Sequence, residues 1–124
     1  MKRRNLEHQH QAAVIEWWSW AHNGHGLPEF ALFAVPNAGA GAQRGQAGKM
    51  KAEGARPGIP DLLLPIGRRG RMGLAIEMKS ETGRISIQQT EVMAWFRSIG
   101  WQVEVCRSAD AAIAAVQQYL GARA

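Results

Sequence analysis

Cysteine is nearly missing from this chain: Cys106 is its one example in 124 residues. A single thiol excludes an internal disulfide and a cysteine-rich zinc site. It lies in the apolar stretch Val103-Glu104-Val105-Cys106 and reads as a small buried core residue. Long apolar runs are missing too. The longest falls far short of the roughly 20 residues that cross a bilayer, so no membrane segment is expected. Met1-Lys2-Arg3-Arg4 has no apolar stretch behind it, unlike a signal peptide. A reducing cytoplasm is the expected setting. Acidic residues are the third shortage. Asp and Glu number 10 against 15 Lys and Arg, for a net charge of +5. The surplus is concentrated: residues 44–84 hold nine basic groups and four acidic ones. A polyanion such as nucleic acid is the natural partner.

Apolar residues make up 46% of the chain, which excludes disorder and points to one domain over residues 1–124. Residues 6–22 read as a helix, with Leu6, Ala13, Val14, Trp17, Trp18 and Ala21 at 3–4 spacing, stopped by Asn23-Gly24. Phe30 to Val35, bounded by Pro28 and Pro36, reads as a short buried strand. Residues 37–58 differ in kind: small residues, glycines and basic groups predict a mobile loop, with a short helix near 46–53. Leu62–Ile66 and Met72–Lys79 read as a hairpin whose tip carries Arg68, Arg69 and Arg71. Ser86 and Gln89 form a capping box for a helix to about Ile99, with Gly100 as its stop. Trp101–Arg107 reads as a strand, and Ser108 or Asp110 starts a last helix to Leu120. The order α-β-(α)-β-β-α-β-α predicts an α/β fold, one mixed sheet flanked by helices.

The chemistry-bearing residues sit on the hairpin. Pro60-Asp61 opens one strand and Glu77-Met78-Lys79 closes the next. Alternate side chains of a strand share a face, so Glu77 and Lys79 point the same way. Antiparallel pairing can set Asp61 beside Glu77. Two hard oxygen donors for Mg²⁺ or Mn²⁺, with an ammonium beside them, suit hydrolysis of a phosphodiester. A salt bridge from Lys79 to either acid is the plainer alternative. Glu7 and Gln11 lie one helical turn apart on a stripe leading to Val14 and Trp18. The tryptophans are mostly core by their spacing, Trp20 being the one off the stripe. Arg44, Lys49, Lys51, Arg56 and Arg84, with the three tip arginines, are candidates for gripping phosphates.

These segments together resemble the VRR-NUC branch of the PD-(D/E)-x-K nuclease superfamily. The resemblance rests on Glu7 and Gln11, Val35-Pro36-Asn37, Gly58-Ile59-Pro60-Asp61, Ile76-Glu77-Met78-Lys79, Gly83-Arg84-Ile85-Ser86 with Gln89, and Gly100-Trp101-Gln102-Val103. It implies a restriction-endonuclease-like core and a divalent-metal endonuclease acting on DNA, often branched. It further implies that the Met78 backbone carbonyl joins Asp61 and Glu77 on the metal. Glu7 would be an active-site carboxylate, reaching the metal directly or through water, and Gln89 a site glutamine, although its place in the capping box explains it equally well. Gln11, Asn37 and Ser86 would support the site. Standalone relatives look like resolvases of four-way (Holliday) junctions, acting in DNA repair or recombination, and suit a bacterium or a phage-infected cell. A chain this small covers little DNA, so a homodimer with two symmetric sites is expected. The alternatives are a nuclease for linear duplex or RNA, and a DNA-binding module without catalysis.

Overall fold

The computed structural model describes residues 3–36 and 46–121. Helix α1 spans Arg3–Ala21. It buries Val14, Trp17 and Trp18, while Leu6 and Ala13 stay exposed. Strand β1 is only Phe33–Ala34, α2 spans Gln46–Ala52, and β2 spans Leu62–Leu64. Next come β3 (Leu74–Met78), α3 (Ile87–Ser98), β4 (Gln102–Cys106) and α4 (Ala109–Leu120). The sheet order is β1-β2-β3-β4, antiparallel between the first two pairs and parallel between β3 and β4. A parallel pair needs a crossover, and α3 supplies it. This is the mixed sheet flanked by helices that the sequence predicts.

The sheet is covered on both faces at β3, where all five residues are buried. Leu74, Ile76 and Met78 pack into the larger core with Val14, Trp18, Val116 and Tyr119 from α1 and α4. Ala75 faces the other way, against Met93 of α3 and Val103 of β4. Odd-numbered residues of β3 therefore look toward α3, and this decides where Glu77 goes.

The hairpin closes through Arg69-Gly70, both at positive φ (47° and 79°), between Arg68 and Arg71, which hydrogen-bond each other in both directions. This is the twist that two-residue hairpin loops favour. Ser86 caps α3, its side chain accepting from Gln89 N, and Gly100 follows the helix at φ 99°. Ser108 caps α4 by accepting from Ala111 N.

Two expectations need correction. Phe30–Val35 is not a buried strand: Glu29–Ala31 is a 3-10 turn, and Phe30 is 80% exposed. Only Phe33 and Ala34 pair with β2, and both are exposed because they form the sheet's edge. Pro28 and Pro36 bound the segment but do not bury it. Trp95 is not core either; it is 58% exposed, as Trp20 is at 69%. Of the expected loop at 37–58, residues 37–45 lie outside the described residues, and the short helix expected within it is α2.

Candidate active site

Register builds the site. Leu62 pairs with Ile76 and Leu63 with Ala75, so one step further sets Asp61 alongside Glu77. Both are on the α3 face by alternation. The Met78 N–H donates to Asp61 Oδ2 at 2.7 Å, locking the aspartate onto the end of β3. Glu77 is 2% exposed. Its Oε2 accepts from Gln89 Nε2 at 3.1 Å. The same glutamine accepts from Ser86 N with its Oε1 at 2.9 Å, so one side chain meets both the helix start and Glu77. Gln89 caps α3 with its carbonyl oxygen and holds Glu77 with its amide nitrogen.

Register puts the Asp61 and Glu77 carboxyls side by side on one face, close enough for each to act on the other's charge. Burial raises both above the ordinary carboxylate range, and the neighbouring Asp61 charge helps push Glu77 up to about 9. Lys79 opposes the rise at both acids, and Glu7 adds to it. With both acids ionised, Glu77 Oε1 is buried with no donor. Such an atom costs free energy until something positive meets it. A proton shared with Asp61 satisfies it, and so does a cation. Two converging hard oxygens, one of them unpartnered, fit Mg²⁺ or Mn²⁺.

Glu7 reaches the site from α1. Its Oε2 accepts from the Ser80 N–H at 3.2 Å, just beyond Lys79. Among the described residues no three His, Cys, Asp or Glu side chains converge on one point, which sets Glu7 apart from a direct ligand set with Asp61 and Glu77. Gln11 is half-buried one turn further along α1. Lys79 is half-buried on the loop side of Glu77, its backbone N–H held by Cys106 O at 2.9 Å.

Three neighbours are not among the site residues expected from the sequence. Ser80 is buried, and its Oγ is the other unpartnered buried side-chain polar atom among the described residues. A Cβ on Gly83 would lie 3.1 Å from that Oγ, 3.3 Å from Glu7 Oε2 and 3.4 Å from Lys79 Cδ. Arg107 Nη1 donates to the carbonyls of Ser80 (2.9 Å) and Gly83 (2.7 Å), and so fixes the loop after Lys79. Gly83 stands within a motif quoted for the resemblance; Ser80 and Arg107 have nothing local to mark them.

The basic candidates divide. Arg68, Arg69 and Arg71 sit at the hairpin tip, while Asp61 and Glu77 sit at its base. Six strand residues at about 3.3 Å each put Arg71 roughly 20 Å from Glu77. Arg69 Nη2 is occupied: it donates to the carbonyls of Gln118 (2.9 Å) and Tyr119 (3.2 Å), at the end of α4. Arg68 donates to the Gly67 carbonyl at 2.9 Å. The tip thus braces α4 instead of facing the carboxylates. Arg56 and Arg84 flank the site in sequence and are exposed, as are Lys49 and Lys51 on α2. Arg44 and Asn37 lie outside the described residues.

No curated protein matches the sequence. Among solved structures, a VRR_NUC domain protein shares 27% identity and superposes with a TM-score of 0.72, over 93% of this chain and 89% of that one. The family model for the VRR-NUC domain matches residues 4–110. With Asp61, Glu77 and Lys79 gathered at the base of one hairpin, this chain belongs to the VRR-NUC family, a nuclease-type domain of the PD-(D/E)-x-K kind.

Proposed function

We propose that the chain is a Mg²⁺- or Mn²⁺-dependent endonuclease that hydrolyses DNA phosphodiester bonds, preferring branched DNA such as four-way junctions. The observation that carries this reading is a buried Glu77 carboxyl, its Oε1 without a partner among the described residues, set by register beside that of Asp61. Asp61 and Glu77 would hold the ion. The Met78 carbonyl would join them, because a strand residue's N–H and C=O face the same neighbour and the Met78 N–H already points at Asp61. When bound, the ion would supply Lewis-acid stabilisation of the charge on the phosphate and the leaving oxygen.

The remaining work belongs to the chain's own groups. The Lys79 ammonium orients the attacking water and meets negative charge as it grows on the phosphorus centre. Gln89 keeps the Glu77 carboxyl in register. Glu7 and Arg107 hold the loop that follows Lys79, from opposite sides of the sequence. In-line attack would leave a 5′ phosphate and a 3′ hydroxyl. Lys49, Lys51, Arg56 and Arg84 supply phosphate contacts on exposed surface. Cutting both strands of a junction calls for two sites, which a C₂ homodimer provides.

The test is cleavage of a four-way junction against linear duplex in Mg²⁺. Asp61→Ala should abolish cutting, and Lys79→Ala should slow it by about 10²–10³-fold, the effect of removing one charge-stabilising donor. Cutting that survives both substitutions would overturn the mechanism. Equal rates on junction and duplex would remove the branched-DNA preference, and junction binding without cutting in Mn²⁺ would favour a binding module.

A further inference from the structure

Beside the carboxylates lies an apolar cleft of about 490 Å³, well within the size of a small-molecule site. One wall is Pro57 and Ile59, from the segment that runs into Pro60-Asp61. The other is the helical stripe Val92, Trp95 and Phe96 of α3. The two walls meet where Gly58, at φ 86°, presses on the first turn of α3: a Cβ there would lie 2.9 Å from the Gln88 carbonyl. The next residue, Gln89, holds Glu77. Cleft and carboxylates therefore share one helix end and one incoming strand.

The cleft's chemistry is specific. Trp95 is braced by Phe96, ring centroids 5.3 Å apart and nearly perpendicular, yet it stays more than half open to solvent. A guanidinium carries five N–H donors. Among the described residues that of Arg56, at the cleft, hydrogen-bonds only the adjoining Ala55 carbonyl, at 3.4 Å. Among the described residues Glu91 is the one acid lining the cleft. A flat π surface fits the indole, and a phosphate attached to it fits Arg56. Protein side chains would match the apolar walls, but they would not explain a cation placed beside the phosphodiester site.

We propose that this cleft takes an unpaired, unstacked nucleobase of the strand being cut, with its ring on Trp95 and its phosphate beside Arg56. This rests on the nuclease reading and extends it: the protein selects DNA in which a base next to the scissile bond is already out of the helix. A branch point or flap presents such a base without the cost of unpairing it.

The experiment uses two branched substrates that differ at one unpaired position, 2-aminopurine in one and an abasic site in the other. Binding is measured in Ca²⁺ and cleavage in Mg²⁺. Trp95→Ala should weaken binding of the base-bearing substrate about tenfold, as loss of one stacking partner does, and leave the abasic one unchanged. Trp95→Phe should keep most of the affinity. 2-Aminopurine fluorescence should be quenched by the unsubstituted protein and not by Trp95→Ala. Equal losses on both substrates, or no loss on either, would overturn the proposal. So would a change from dimer to monomer in Trp95→Ala by light scattering, which would assign the cleft to contact between copies. Base-dependent binding with no cutting in Mg²⁺ would keep the cleft and sink the nuclease reading. Cutting indifferent to the base would do the opposite.

Discussion

At Glu77 the two oxygens of one carboxyl group have different fates. Oε2 is satisfied by Gln89, while Oε1 waits for a proton or a cation. This has a pH signature in metal-free protein. The folded pKa, about 9, lies above the ordinary 4.5, so the folded state binds more protons between those values. Stability is then greatest below the lower value and falls as pH rises toward the upper one. Melting temperature should decline across that window, Glu77→Gln should flatten the decline, and Mn²⁺ should oppose it. A flat profile in the unsubstituted protein would mean that Glu77 is not the buried acid described. Gln89 offers a sharper separation. Gln89→Glu keeps the carbonyl oxygen that caps α3 but sets a carboxylate against Glu77. Helix content should persist while cleavage falls at least tenfold; unchanged cleavage would reduce Gln89 to a cap.

The elements show why some residues were legible in the sequence and others were not. Ser86, Gln89 and Gly100 declare α3 because capping is local, fixed within four residues. Asp61 and Glu77 were legible because antiparallel pairing and period-2 alternation leave one register that buries Leu62, Leu64, Leu74 and Ile76 together. Arg69 was not, since its partners lie 49 and 50 residues away, and a charged turn looks the same whether it meets DNA or a helix end. Phe33 and Trp95 misled for a related reason: apolar spacing tells which residues share a face, not whether anything covers it. Arg69→Ala should cost about 0.5–1.5 kcal/mol in urea unfolding, the ordinary net worth of a lost hydrogen bond, and leave cleavage unchanged. Arg107→Ala should cost a similar amount, since it also loses bonds to backbone carbonyls, but unlike Arg69→Ala it should lower kcat, because it frees the loop after Lys79. Gly58→Ala should cost about 1–3 kcal/mol from the strained φ alone, with its Cβ driven against the Gln88 carbonyl.

On the scale of the molecule, charge is spread unequally with respect to the site. The chain carries +5 overall, and three of its arginines sit at the far end of the hairpin. DNA affinity should fall steeply with salt, with a slope of about 0.9 per neutralised phosphate. Arg56→Gln and Arg84→Gln should each lower that slope by about 0.9, whereas Arg69→Gln should not. An equal effect from Arg69 would bring the hairpin tip back into the interface. The sheet, covered on both faces at β3, gives the carboxylates a rigid floor, and the helix end at Gln88-Gln89 joins them to the apolar cleft.

Whether a metal sits on these carboxylates can be seen by anomalous diffraction from crystals soaked in Mn²⁺. One strong peak is expected between the carboxylates of Asp61 and Glu77, on the side of the Met78 carbonyl, with Lys79 adjoining it. A saturating soak that leaves no manganese between those two carboxyls, with the metal elsewhere or absent, would rule out the ion site.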